Sequence, residues 1–353
     1  RIDFKDDAKG ALLLEPTRTN KVPYSEAFDN AYWIKADATV VGGYSAPDGS
    51  NNAFKLIEGT SNSQHSVRSG FIATTNGSEI ASSIFVKADT RSVVTFQESA
   101  YTGVYLTIDL ISETITTNVT SANLTKLANG WFRIDIVSTC NVVTSWKVMP
   151  SLNGTTIYQG DGTSGVYIWG FQLEDNVSYA TSYIPNFGNS AGATRSADAS
   201  SQTPPSGIIG QTEGTLFTEF EFNYSDSNTQ VLLKANQSSD ANSVGIEILG
   251  TTIKGLVNSQ SLNLANIQGT IAIGKIKAAI AYKTNDIAFY VNGVQVGIIS
   301  SGSIDFAGVV NILTIGHFSL NGGQYFPSSR PFNEAKLYNT RLSNAELTAL
   351  TKI

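Results

Sequence analysis

Apolar and polar positions alternate in short runs along most of the chain, the period-two pattern of strands buried on one face. "SSIFVKA", "GVYLTID", "WFRIDIV", "TSWKVMP" and "GVYIWGFQLE" recur between residues 82 and 174, separated by Gly, Asn, Asp and Ser. No helical period intervenes, so the fold class is expected to be all-β: two tandem β-sandwich or jelly-roll domains with one short C-terminal helix. The alternation stops over 188–213, "GNSAGATRSADASSQTPPSGIIGQTE", where small and polar residues surround Pro204 and Pro205. That segment reads as the junction, with a first domain over 1–198, a linker over 199–213 and a second domain over 214–353.

Beyond the junction, "GTLFTEFEF" places Leu216, Thr218, Phe220 and Phe222 on one face and Phe217, Glu219 and Glu221 on the other. In "IKAAIAYKTNDIAFYVNGVQVGIIS" three strands form a meander, joined by Thr284-Asn285-Asp286 and by Asn292-Gly293, a pair suited to the positive φ angles of a type I′ turn. The helix is expected at the end: Ser343 caps it, Glu346 completes a capping box, and Leu342 staples to Leu347.

Composition removes several function classes. The 353 residues are 41% hydrophobic and 15% charged, enough apolar mass for two cores. Net charge is −6 with Lys and Arg scattered singly, which argues against nucleic acid and an anionic membrane surface as partners. No apolar run reaches the ~18 residues of a membrane span, so membrane insertion is not expected. The lone Cys140 has no internal disulfide partner. The chain opens on Arg1 rather than Met, and a fragment or processed product of a longer protein is expected.

Five stretches occur in order over about residues 1–198: "GALLLEPTRTNKVPYSEAF", "FVKADT", "NGWFRIDI", "GDGTSGVYIWGFQLED" and "TSYIPNFGNSAGATRSAD". Together they resemble the carbohydrate-binding-module-like β-sandwich of phage tail-fibre, spike and other virion surface proteins, with Lys21 standing where that pattern has an apolar residue. "GTLFTEFEF", "YVNGVQVG", "LTIGHF" and "FNEAKLYNTRLSNAEL" resemble a concanavalin A-like or laminin-G-like jelly roll. The resemblance implies a glycan-binding or structural virion module, made in the host bacterial cytoplasm and displayed on the virion surface. It also implies other virion proteins as partners and a trimer as the assembly, and it supplies no catalytic residue.

Glu174 and Asp175 are adjacent and project to opposite strand faces, poor geometry for two carboxylates flanking one glycosidic bond. A buried Glu174 paired with Arg18 is the expectation. Tyr167, Trp169 and Phe171 are expected to share one face, as core rather than as a sugar platform. Glu219 and Glu221 share a face as in laminarinase-type glycosidases, whose strand reads Glu-x-Asp-x-x-Glu, but Glu221 replaces the Asp and Tyr224 holds the third acid's place. His65 and His317 are the only histidines and fall in different expected domains, so neither a catalytic triad nor a His-rich zinc site is set up.

No cofactor is required. Structural calcium is the one ion left open, at Asp48 in "APDGS" and Asp161 in "GDGTSG", with Asp-Gly turn formation preferred at both. The sequons at Asn118 and Asn153 reflect an Asn-, Ser- and Thr-rich composition. Glycan-binding candidates are loop aromatics with polar neighbours: Tyr32 and Trp33 in "DNAYW", and Asn321, Gln324, Tyr325 and Arg330 in "LNGGQYFPSSR". The reading favoured is a non-enzymatic virion surface protein binding host cell-surface polysaccharide. A purely structural virion module and a polysaccharide depolymerase are the alternatives.

Overall fold

In the computed structural model the described residues are 2–3, 11–98, 105–140, 143–198, 200–222, 229–237, 239–316, 318–320, 323–327 and 332–353. Side chains are not described for Ile2, Asp3, Ala11, Ser200, Phe318–Leu320 and Gly323–Pro327. Strands dominate, and the one α-helix among the described residues is Asn344–Thr351. The all-β expectation holds, down to the helix. The chain divides into two compact units, Arg18–Arg195 and the combination of Arg1–Thr17 with Ser196–Ile353. In place of a linker throughout 199–213, Ser200–Gln202 forms a strand that pairs with Ile312–Ile315.

The unit Arg18–Arg195 is built from two six-stranded antiparallel sheets. The first runs in the order Ser121–Lys126, Trp131–Thr139, Glu79–Ala88, Gly165–Asp175, Ala53–Glu58, Ala38–Tyr44. The second runs Thr114–Thr117, Tyr105–Asp109, Val93–Glu98, Trp146–Ser151, Ser66–Arg68, Ile34–Ala36. Leu56, Ile84, Ile134, Ile168 and Phe171 from the first sheet meet Val67, Val94, Phe96, Trp146 and Val148 from the second in one buried core. Alternation places most of these residues inward, since each strand sends every second side chain to the core, with one exception in Gly165–Asp175.

Gly165–Asp175 departs from simple alternation at one residue. Gly170 has φ +61, and the register with Glu79–Ala88 shifts between Ser83 and Phe85. This bulge reverses the phase of the strand. Ile168 and Phe171 therefore both face the core, while Tyr167 and Trp169 lie in a separate outer cluster with Phe85, Trp131 and Ala53. The expectation that Tyr167, Trp169 and Phe171 share a face is corrected here: the extra residue moves Phe171 inward.

The stretches that carry the resemblance act as a clasp. Asn20 is fully buried, accepts from the backbone N–H of Val22 (3.0 Å) and Leu173 (3.2 Å), and donates to the carbonyl of Ile184 (2.8 Å). Lys21 reaches Asp175 at 2.7 Å, which gives its charge a partner.

The second unit has a seven-stranded sheet whose central strands are Phe332–Tyr338, Glu213–Phe222, Gly274–Lys283 and Ile287–Val291. The facing sheet runs from Ser200–Gln202 through Gln230–Asn236 to Leu262–Thr270. Leu216, Phe220 and Phe222 enter the core between them, and Phe217 faces outward, as the alternation predicts. Asn292 and Gly293 both take positive φ, 49 and 80, the hairpin turn expected of the pair. Ser343 and Glu346 form the capping box, and Leu342 and Leu347 join one cluster with Phe217, Ala279, Ala281, Ala288 and Tyr290.

Candidate functional site

The loop candidates fare differently. Trp33 is 1% exposed, donates its ring N–H to the Tyr24 carbonyl at 2.9 Å and packs on Phe28 and Phe171. It is a core residue, and its assignment as a sugar platform is corrected on that ground. Tyr32 is partly buried edge-on to Trp33, and burial pushes its hydroxyl pKa up to about 12. Asn321 and Arg330, and the side chains of Gln324 and Tyr325, lie outside the described residues, as does His317.

The carboxylates singled out from sequence are engaged. Glu174 is 1% exposed; Arg18 Nε stands 3.8 Å from Oε1, and Thr181 donates its N–H to Oε2 (2.8 Å) and its hydroxyl to Oε1 (2.6 Å). Burial raises the Glu174 pKa against the lowering effect of these hydrogen bonds and of Arg18. The expected Arg18 pair is present. Glu219 lies 3.1 Å from Lys275 and 3.4 Å from Lys277, cross-strand cations set by the register. Asp48 accepts from its own turn, the Ser50 N–H at 2.9 Å and hydroxyl at 2.6 Å.

Asp161 does likewise. It accepts from the Ser164 hydroxyl (2.6 Å), the Ser164 N–H (2.7 Å) and the Thr163 N–H (2.7 Å), bonds that hold its carboxyl far below the usual range. Both candidate calcium ligands are thus spent on turns. Among the described residues no group of three or more His, Cys, Asp or Glu is placed to hold a metal ion. His65 is buried with Asp37 Oδ2 3.0 Å from Nδ1, but its Nε2 faces the Tyr158 carbonyl at 3.1 Å, so no hydroxyl nucleophile is aligned.

What the fold does assemble is an aromatic layer on the outer face of the first sheet. Trp131, Lys87, Tyr167, Lys55 and Val41 are successive register partners across five strands, so their side chains form one row on one face. Part of this face is covered. The segment after Asp175 folds back over it, and the Tyr183 ring meets Trp169 at 4.9 Å and Phe85 at 5.8 Å. Gln172 accepts the Ile184 N–H at 2.6 Å, and Arg133 donates to the Thr181 carbonyl at 2.5 Å. Trp169 donates to Asn52 (2.8 Å), which donates to Glu26 (2.7 Å), and burial leads in raising the Glu26 pKa.

Beyond the strap the face stays open at Tyr44 and Tyr167. Their rings are 4.8 Å apart, tilted at 55°, and both residues are half-buried. Lys55 meets Asp89 Oδ2 at 2.6 Å, and the Tyr167 hydroxyl lies 3.4 Å from Asp89 Oδ1. Burial alone would raise the Asp89 pKa, but the Lys55 hydrogen bond and charge bring it below its usual value. The result is a pair of apolar ring faces edged by a fixed donor and acceptor, the elements that stack on a sugar ring and read its hydroxyls. Sequence reading missed Tyr44, Lys55 and Asp89, which meet only through long-range register. The one local signal was Tyr44 directly before the turn "SAPDGS".

No protein-family model matches the chain, and no curated protein matches it. Among solved structures it is similar to the Ruminococcus gnavus IT-sialidase CBM40, at 14% identity and TM-score 0.36 over 40% of this chain and 84% of that one. It is also similar to the NanB sialidase of Streptococcus pneumoniae, at 16% identity and TM-score 0.35 over 40% of this chain and 24% of that one. A structure described as a receptor binding domain matches at 9% identity and TM-score 0.31, over 40% of this chain and 35% of that one. TM-scores this low leave function to be argued from the residues.

Proposed function

We propose that this chain is a non-enzymatic glycan-binding module of a bacteriophage virion surface, part of a tail fibre, spike or head fibre that attaches to host cell-surface polysaccharide. The observation that carries the binding reading is the open Tyr44 and Tyr167 pair edged by Lys55 and Asp89. The virion assignment rests on the ordered sequence resemblance. Against a depolymerase stand the engaged carboxylates: Glu174 is enclosed by Thr181 and Arg18, and Glu219 is held by two lysines.

Stacking on two tyrosines gives weak affinity per site, and a virion compensates by displaying several copies. The test is a glycan array probed with the chain alone and with a clustered form, beside a long incubation assayed for new reducing ends. Retention by the clustered form without release of reducing ends supports the proposal. Absence of retention across host polysaccharides would favour a purely structural module. Time-dependent release that is lost in a Glu219→Gln, Glu221→Gln double variant would favour a glycosidase.

A further inference from the structure

We propose a second binding site on the outer face of the other sheet of the unit Arg18–Arg195, at Arg68 and Lys147, which takes the carboxylate of an acidic saccharide. Tyr105, Gln97, Lys147, Arg68 and Ile34 are successive register partners and form one row across five strands. Arg68 and Lys147 are therefore direct cross-strand neighbours, with Cβ atoms about 5 Å apart, an arrangement in which like charges destabilise a sheet. Among the described residues no carboxylate forms an ion pair with either. Their polar contacts are neutral: Arg68 Nη1 donates to the Ser145 hydroxyl at 3.3 Å, and Lys147 Nζ donates to the Gln64 side-chain carbonyl at 3.2 Å.

The contrast with the first sheet is direct, because there Lys55 has Asp89 and Arg133 has Asp135 at 2.8 Å. A net-negative chain has carboxylates to spare, yet among the described residues none pairs with these two cations. Burial and the Arg68 charge hold the Lys147 ammonium pKa below its ordinary value. An oxyanion set between the two cations would remove that penalty. The Arg68 fork suits a carboxylate, which it meets with two parallel N–H donors.

The neighbours favour a sugar as the carrier of that carboxylate. Phe71 is 68% exposed with the Arg68 guanidinium over its ring at 5.3 Å, and Tyr105 is 43% exposed at the other end of the row. Gln97 adds an amide between them. From Tyr105 to Arg68 is three strand spacings, about 14 Å, a width that a short oligosaccharide spans. This site requires nothing of Tyr44 and Tyr167.

Trigalacturonic acid and its fully methyl-esterified form share every hydroxyl and differ in charge, so calorimetric titration of both against the whole chain isolates the carboxylate. The wild type is expected to bind the acid at least tenfold more tightly than the ester, with affinity falling as salt rises. Arg68→Gln and Lys147→Gln should each weaken acid binding about tenfold and leave ester binding unchanged. Their Tm should be equal to the wild type's or higher, since a like-charge contact is removed. Tyr167→Ala should leave acid binding intact, which separates failure here from failure of the proposed function.

Should the variants prove unstable, ring resonances of Phe71 and Tyr105 in the wild type should shift on titration with the acid and not with the ester. Equal affinity for acid and ester, or acid binding untouched in both Gln variants, would overturn the proposal. So would inorganic phosphate competing as well as the trisaccharide at equal concentration, because the site would then read charge and not sugar.

Discussion

Each of the two units carries apolar side chains on the outer face of a sheet, and each deals with them differently. In the C-terminal unit, Phe217, Ala279, Ala281, Ala288 and Tyr290 are covered by the helix Asn344–Thr351 through Leu347. In Arg18–Arg195, a strap carrying Tyr183 covers Phe85 and Trp169 but stops short of Tyr44 and Tyr167. A helix cap completes a fold, whereas a partial strap leaves ring faces to meet something else. Half-buried aromatics therefore mean most where the rest of the same layer is closed.

Removing either cover tests the comparison most forcefully. Tyr183→Ala deletes a ring packed against both Phe85 and Trp169 and should cost about 3–5 kcal/mol of unfolding free energy. Leu347→Ala, at 0% exposure, should cost about 2–5 kcal/mol. Urea unfolding measures both. If Tyr183→Ala were neutral, the strap would be a decoration and the outer face would be open throughout.

A smaller loss is expected at the bulge that sets the phase of the outer layer. Gly170→Ala places a Cβ 3.1 Å from Phe85 and 3.2 Å from Tyr183 at φ +61, and should destabilise by about 1–3 kcal/mol. Full tolerance would mean that the bulge does not hold Tyr167 and Trp169 outward.

The adjacent acids in the strap region should show opposite pH behaviour. The Glu174 pKa is raised, chiefly by burial, so the folded state holds a proton that the unfolded chain has released. Its effect is that stability falls as pH rises through the window that opens at the unfolded value near ~4.3. The Asp175 pKa is lowered: burial works against this, but hydrogen bonds from Lys21 and Thr75 outweigh it. Its stabilising contribution is present above ~3.9 and lost as pH falls through the folded value. Denaturation curves from pH 3 to 7 should thus show Glu174→Gln gaining on the wild type as pH rises. Asp175→Asn should lose ground over the same range, and parallel curves for both variants would contradict the assigned environments.

Much of the fold was legible because its causes are local. Alternation fixed the inward set Leu216, Phe220 and Phe222, an Asn-Gly pair its own turn, and a Ser and a Glu three apart the helix start. The Arg18 and Glu174 pair was legible through two of the stretches that carry the resemblance, one holding each residue. The bulge at Gly170 was not, because a glycine in a strand looks the same whether or not it shifts register. Trp33 looked like a loop aromatic, but the loop folds its ring into the core. Tyr44, Lys55, Asp89 and Tyr167 come from separate strands and a turn, and only pairing brings them together.

The smallest structural change should have the clearest functional effect. Tyr167→Ala removes a half-buried ring outside the strapped layer, so its Tm should stay close to the wild type's. Binding of the clustered chain to a host polysaccharide retained by the wild type should weaken about tenfold, a loss of about 1.4 kcal/mol. Undiminished binding by a folded Tyr167→Ala, Tyr44→Ala double variant would contradict the account.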